Sequence, residues 1–156
     1  MSVLGGRFDG GRMLDLCAGT GAVALEFLSR GVAFAVLVER DGRALACLRD
    51  NVASARMQQQ TQIEHGDVAS VLERLRRADQ VFDWVFFDPP YSSKLYGPVL
   101  ELLADGRLLT DDAEVIVESG QGLEASLLSG RWQRLEQRRY GAAIFDRLRR
   151  AVEANE

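Results

Sequence analysis

The apolar run VFDWVFFD (81–88) ends on Asp88 and is followed at once by Pro89, Pro90 and Tyr91. Neither proline can donate to a strand ladder, so the run must stop there, and the fixed φ of each ring stiffens the turn. A carboxylate on such a turn, with the Pro89 carbonyl beside it, presents two acceptors in a fixed relation. Two acceptors so placed suit the exocyclic amine of a nucleobase, a poor nucleophile because its lone pair is delocalised into the ring. Holding both amine protons turns that lone pair toward an electrophilic methyl group, and positioning and electrostatics do most of the work. Tyr91 offers a face on which an extruded base can stack, worth roughly 1–3 kcal/mol in single-strand binding. The plainer alternative is that Pro-Pro breaks the strand, Asp88 caps the turn and Tyr91 packs. A glycine loop delivered to the same end of the sheet argues for the chemical reading.

That loop is LDLCAGTGA (14–22). Gly19 and Gly21 permit a tight strand-to-helix turn and close approach to a ligand, beside the free N–H groups of a helix N-terminus. Glu39 ends the next apolar run, about 20 residues past Gly19, where an acid accepts hydrogen bonds from ribose hydroxyls in Rossmann-like sites. Two cofactor readings compete. Gly19-x-Gly21-x-x-Ala24 is a relaxed dinucleotide fingerprint, which would bring a nicotinamide or flavin. Asp15-x-x-x-Gly19-x-Gly21 matches instead the first motif of S-adenosylmethionine enzymes. An acid at Asp15 would repel a pyrophosphate but welcome an ammonium, which favours S-adenosylmethionine. Asp67, in HGDV, is placed either to accept from an adenine amino group or to cap the helix beginning at Val68. Ala18, Arg40 and Val68 adjoin these positions and complete the candidate cofactor set, while His65 carries no chemistry.

Such turns need a scaffold that brings them to one place. RMLDLC (12–17), AFAVLVE (33–39), TQIEHG (61–66), the 81–88 run and AEVIVES (113–119) have strand character. Helical spacing begins after Gly21 and recurs across 41–56, 68–78 and 98–109. RWQRLEQRRY and AIFDRLRR, separated by Gly141 and Ala142, form a closing hairpin. The pattern predicts an α/β fold: a mostly parallel sheet covered on both faces, with ligands beyond the carboxyl ends of its strands.

A length of 156 residues predicts one domain over 1–156. With an apolar fraction of 47% the chain can build a core, which excludes a disordered or fibrous class. No apolar run approaches the roughly 18 residues of a membrane span, and no basic segment precedes an apolar one at the N-terminus, so a cytoplasmic location is expected. Cys17 and Cys47 make neither a disulfide framework nor a zinc motif, and a lone histidine leaves little metal chemistry. The net charge of −4 argues against strong nonspecific binding to nucleic acid, so any such partner must be gripped locally. Seven arginines from Arg131 onward could supply part of that grip, although Arg138 and Arg139 alternate to opposite sheet faces.

The strings LDLCAGTGAVALEFLSRG, VLVERD, NV, GDV, FDWVFFDPPY and QRRYG, in that order, resemble the bacterial RsmD-type methyltransferases. These methylate the exocyclic amine (N2) of one guanine in 16S ribosomal RNA. The resemblance runs from about residue 2 to about residue 148. It implies a Rossmann-like class I S-adenosylmethionine-dependent methyltransferase with a seven-stranded, mostly parallel sheet whose last strand is antiparallel. It also implies that Asp15, Gly19 and Gly21 hold the cofactor, Glu39 its ribose and Asp67 its adenine, with Asp88, Pro89, Pro90 and Tyr91 as the catalytic loop. The partner would be 16S ribosomal RNA or the small ribosomal subunit, met by a monomer. Two departures stand out. Cys17 occupies a position where the family has Phe and many methyltransferases have Gly, tolerable for a side chain turned into the core. Family members also carry a basic stretch and a helix ahead of this point, of which Met1-Ser-Val-Leu resembles the tail; the chain is expected to lack the rest. The alternatives are an adenine-N6 methyltransferase of nucleic acid, a cofactor-binding module inactive without a partner or that segment, and, more distantly, a dinucleotide oxidoreductase.

Overall fold

The computed structural model describes residues 6–90 and 94–151. Seven strands form one sheet: β1 (Arg12–Leu16), β2 (Phe34–Glu39), β3 (Thr61–His65), β4 (Phe82–Phe87), β5 (Leu109–Ser119), β6 (Trp132–Tyr140) and β7 (Ala143–Arg150). Their order is β3-β2-β1-β4-β5-β7-β6. The pairs from β3 through to β5 are parallel, whereas β7 runs antiparallel to both β5 and β6, as expected for the class I methyltransferase fold. Strand order reverses between β1 and β4, so the turns leaving these two strands diverge from one point at the carboxyl edge of the sheet.

The helices are α1 (Ala22–Ser29), α2 (Gly42–Ser54), α3 (Val68–Arg77), α4 (Tyr96–Ala104) and the single turn α5 (Ala125–Leu128). Helix α3 buries Val68, Val71, Leu72 and Leu75 along one stripe and turns its arginines outward, the i, i+3, i+4, i+7 pattern of a helix lying on a sheet. Helix α2 is started by Asp41, whose carboxylate accepts from Ala44 N–H at 2.9 Å. The core lies in two layers. Leu14, Leu16, Val36, Val38, Val85 and Phe87 meet α3 and α4 on one face; Met13, Ala35, Leu37, Phe86 and Ile116 meet α1 and α2 on the other. Strand β4 feeds both layers, which is why its sequence is apolar without alternation.

Most element ends fall within a residue or two of the sequence expectation, and the larger differences lie around α4 and β5. β1 stops at Leu16, one residue early. Helix α4 starts and stops earlier than 98–109 because Gly106, at φ 81°, reverses the chain and sends Leu108 and Leu109 into the core as the start of β5. The pairing of β4 with β5 then shifts register between Phe82 and Trp84, which absorbs the extra residues. The α5 turn and a 3₁₀ turn at Gln58–Gln60 have no counterpart in the sequence expectation. No helix among the described residues is long and apolar enough to cross a membrane.

Candidate functional site

The loop after β1 keeps its contact with β2 for two more residues, since Cys17 and Ala18 donate to the Val38 carbonyl at 3.1 and 2.8 Å. It then turns through left-handed backbone at Cys17 (φ 94°), Gly19 (φ 56°) and Gly21 (φ 83°). The two glycines serve different ends. A Cβ on Gly21 would stand 2.4 Å from Leu48 Cδ1, so this residue lets α1 pack closely on α2. A Cβ on Gly19 would meet nothing within 4 Å, so there the requirement is the backbone angle and an unobstructed approach.

Asp15 lies in the layer facing α1 and is only 2% exposed. Burial and the charge of Asp88 push its pKa up to about 7, the Ala24 N–H bond opposes them, and Glu39 adds a smaller upward push. Its Oδ2 atom is buried with no hydrogen-bond partner among the described residues. A buried carboxyl left with an idle oxygen suits a ligand that brings a cationic donor, and such a group would draw it into the ionised form.

Glu39 ties the first two loops together. Its Oε1 accepts from Gly19 N–H at 2.8 Å, and its Oε2 accepts from both Arg40 N–H and Asp41 N–H at 2.8 Å. Each carboxylate oxygen has more than one acceptor direction, so the residue can hold the loops and still receive a hydroxyl. Asp67 does what a helix cap does: its Oδ1 accepts from Ser70 N–H at 3.0 Å, and that bond keeps its carboxyl below the ordinary range. The capping role is the one the hydrogen bond shows, and Asp67 also borders the opening. His65 Nε2 pairs with the Arg40 carbonyl at 3.1 Å, a purely local contact.

Asp88 leaves β4 beside the end of β5. The register aligns Phe87 with Val117, which puts Asp88 beside Glu118. Burial above all, and then the neighbouring Glu118 carboxyl, push the Asp88 pKa up to about 7. Sequence reasoning misses Glu118; the available signal is an acid interrupting AEVIVES at its carboxyl end. Cys17 corrects another expectation. Its side chain only partly packs on the core and also borders the opening, and its φ of 94° explains why glycine is at home in this place. Burial and then the charges of Asp15, Glu39 and Asp88 push its thiol up to about 12, so it stays protonated and is no nucleophile.

These elements frame an open crevice of about 1130 Å³ beyond the carboxyl ends of β1, β2, β3 and β4. It is lined by Cys17, the stretch from Val38 to Gly42, the stretch from Gly66 to Ala69, Asp88, Pro89, Pro90 and Leu95. Seven of the residues singled out in the sequence therefore meet there: Glu39, Arg40, Asp67, Val68, Asp88, Pro89 and Pro90. Asp15, on β1, and Ala18, Gly19 and Gly21, in the turn that follows, do not line it. Tyr91 lies outside the described residues.

A family profile described as "Conserved hypothetical protein 95" matches residues 1–148. The chain belongs to this family, the RsmD family. A structure titled as a conserved hypothetical protein of Streptococcus pyogenes superposes with a TM-score of 0.84 at 28% identity, covering 98% of this chain and 93% of the other. Bacillus subtilis YlbH, whose name proposes rRNA methyltransferase activity for it, is 30% identical over 123 residues, 79% of this chain and 67% of its own length. The Escherichia coli K12 protein named Ribosomal RNA small subunit methyltransferase D is 34% identical over 106 residues, 68% of this chain. That match spans 52% of the E. coli protein, about half its length.

Proposed function

We propose that this chain is an S-adenosylmethionine-dependent methyltransferase of small-subunit ribosomal RNA, and that its acceptor is the N2 amine of a guanine in 16S RNA. The observation that carries the reading is that Cys17 of the loop after β1, the acids Glu39 and Asp67, at the end of β2 and after β3, and the Asp88 turn border one crevice, at the point where strand order reverses. The idle Asp15 oxygen, the unobstructed Gly19 and the acids Glu39 and Asp67 on successive strand ends fit this cofactor. A dinucleotide would place its pyrophosphate against the same acids.

When bound, S-adenosylmethionine supplies the methyl group and departs as a neutral thioether. Asp15, with the turn of Ala18, Gly19 and Gly21, would receive its ammonium end. Glu39 beside Arg40 would hold its ribose hydroxyls, and Asp67 with Val68 its adenine. Asp88 and the Pro89 carbonyl hold the base amine, and Pro90 keeps that turn rigid. The Asp88 carboxylate would take the proton that the amine nitrogen must shed. Tyr91 would stack on the extruded base. Residues 1–156 act as one methyltransferase domain in this scheme.

Incubation with S-adenosylmethionine labelled in its methyl group and unmodified small-subunit RNA, naked or assembled with ribosomal proteins, tests the proposal. Nucleoside analysis should find the label in N2-methylguanosine. Label in N6-methyladenosine would move the acceptor to adenine. Cofactor binding without any label in RNA would reduce the chain to a binding module.

A further inference from the structure

We propose that Asn51 of α2 is a positioning residue of the cofactor turn: its side-chain amide donates to the Thr20 carbonyl and holds the backbone between Gly19 and Gly21 in the shape that receives the ligand. The inference rests on the methyl-transfer reading above and deepens it.

Close packing brings the helix and the turn together. Helix α2 buries Leu45, Leu48 and Val52, and Leu48 comes so near the turn that a Cβ at Gly21 would collide with it. Asn51 stands three residues beyond Leu48 and four beyond Cys47, so it continues the side of α2 that meets the turn. From there its Nδ2 reaches the Thr20 carbonyl at 2.9 Å and the Cys47 sulfur at 3.7 Å. Each hydrogen of the amide thus has an acceptor, which fixes the end of the side chain that faces the turn.

The peptide groups of the turn divide accordingly. The Ala18–Gly19 peptide is held through its N–H, which donates to Glu39 at 2.8 Å. The Thr20–Gly21 peptide is held at both ends, its carbonyl by Asn51 and its N–H by the Ala18 carbonyl at 2.8 Å. Between them, the Gly19–Thr20 peptide makes no hydrogen bond among the described residues, and a Cβ on Gly19 would meet nothing within 4 Å. An open peptide is therefore presented on a frame pinned from β2 on one side and from α2 on the other.

Without Asn51 that frame loosens on the α2 side. Gly21 sits at φ 83°, and glycine takes either sign of φ about equally well. The Thr20–Gly21 peptide, held by one bond instead of two, can then turn over and release the Ala18 carbonyl as well. Ligand binds only the molecules whose turn is in the competent shape, so affinity falls with that fraction while the chemistry after binding is unchanged.

The test uses the full chain, with calorimetry on S-adenosylhomocysteine and methylation of small-subunit RNA. Asn51→Ala should weaken binding about tenfold and raise KM for S-adenosylmethionine alike, with kcat at saturating cofactor within about twofold of wild type. Asn51→Asp has nearly the same shape but no donor, and should weaken binding at least as much. Asn51→Gln keeps the donor on a longer stem and should recover part of the loss. Asp50→Ala, the exposed neighbour on α2, should change nothing. Wild-type affinity in the Ala and Asp variants would overturn the proposal, and so would a loss in kcat with KM unchanged. A second measurement needs no ligand: amide hydrogen exchange at Gly21 should quicken about tenfold in Asn51→Ala while β1 and β2 keep their wild-type rates. An unchanged rate at Gly21, or an equal rise across the sheet, makes Asn51 a residue of no special role or of general stability. A wild-type protein that binds no cofactor overturns the methyl-transfer reading, whereas quickened exchange confined to Gly21 leaves the clamp standing.

Discussion

Asp88→Ala is expected to slow methyl transfer to small-subunit RNA by about 10²–10⁴-fold while cofactor affinity stays within about threefold. The two effects separate because of where the carboxyl sits. It borders the crevice at the start of the Pro-Pro turn, outside the buried core, so removing it neither opens a cavity nor unpins a helix. What disappears is the acceptor that orients the amine and receives its proton, with the Pro89 carbonyl left to hold one amine hydrogen alone. The glycine turn and the acids at Glu39 and Asp67 belong to other strands and keep their own hydrogen bonds. Cofactor binding could even strengthen slightly, because the Asp88 charge is one reason Asp15 holds its proton. Calorimetry with S-adenosylmethionine and single-turnover methylation measure the two quantities side by side. Equal losses in both would make Asp88 a structural residue.

The second large effect is expected at Asp15, and it has opposite signs for stability and for binding. Burial raises this carboxyl from 3.8 to about 7 in the folded protein. Between those two values the unfolded chain gives up the proton while the folded one keeps it, so stability falls as pH rises through this window and levels off above it. The full gap corresponds to about 4 kcal/mol. Asparagine has nearly the same shape and never ionises. Asp15→Asn should therefore gain about 2–4 kcal/mol over wild type at pH 8 and almost nothing at pH 4, read from urea unfolding at the two pH values. The same substitution should weaken S-adenosylmethionine binding by about 10–100-fold, because a neutral amide cannot match the cofactor's ammonium. Equal stability of the two proteins at pH 8 would place Asp15 in the ordinary range. Undiminished affinity would remove it from the cofactor site. Both results together would mark Asp15 as a site residue kept at the expense of stability.

How much of this is legible in the sequence depends on how local the physics is. The turns at Asp88-Pro89-Pro90 and Gly19–Gly21 declare themselves through residue type alone, since proline ends a strand and glycine takes left-handed backbone. The buried runs of β2 and β4 are equally plain, because a strand covered on both faces has no reason to alternate. Glu118 is invisible for the opposite reason. Its neighbour Asp88 is 30 positions away, and only the β4–β5 register, itself shifted near Phe82, sets them side by side. Glu39 is recognisable as an acceptor, but its bonds to Gly19 N–H and to its own following backbone depend on how the first two strands pair. The start of β5 is hidden because Thr110, Asp111 and Asp112 are polar and Asp111 and Asp112 exposed, so only Leu108 and Leu109 mark where the chain dips into the core. A four-residue helix such as α5 has too few positions to show a period.

A crystal structure of the protein with S-adenosylhomocysteine would examine the central claim most directly. The thioether sulfur should point across the crevice to the Asp88-Pro89 turn, with the adenine beside Asp67, the ribose hydroxyls on Glu39 and the amino group toward Asp15. A nucleotide lodged outside this crevice, or one inside it with its sulfur turned away from Asp88, would contradict the account.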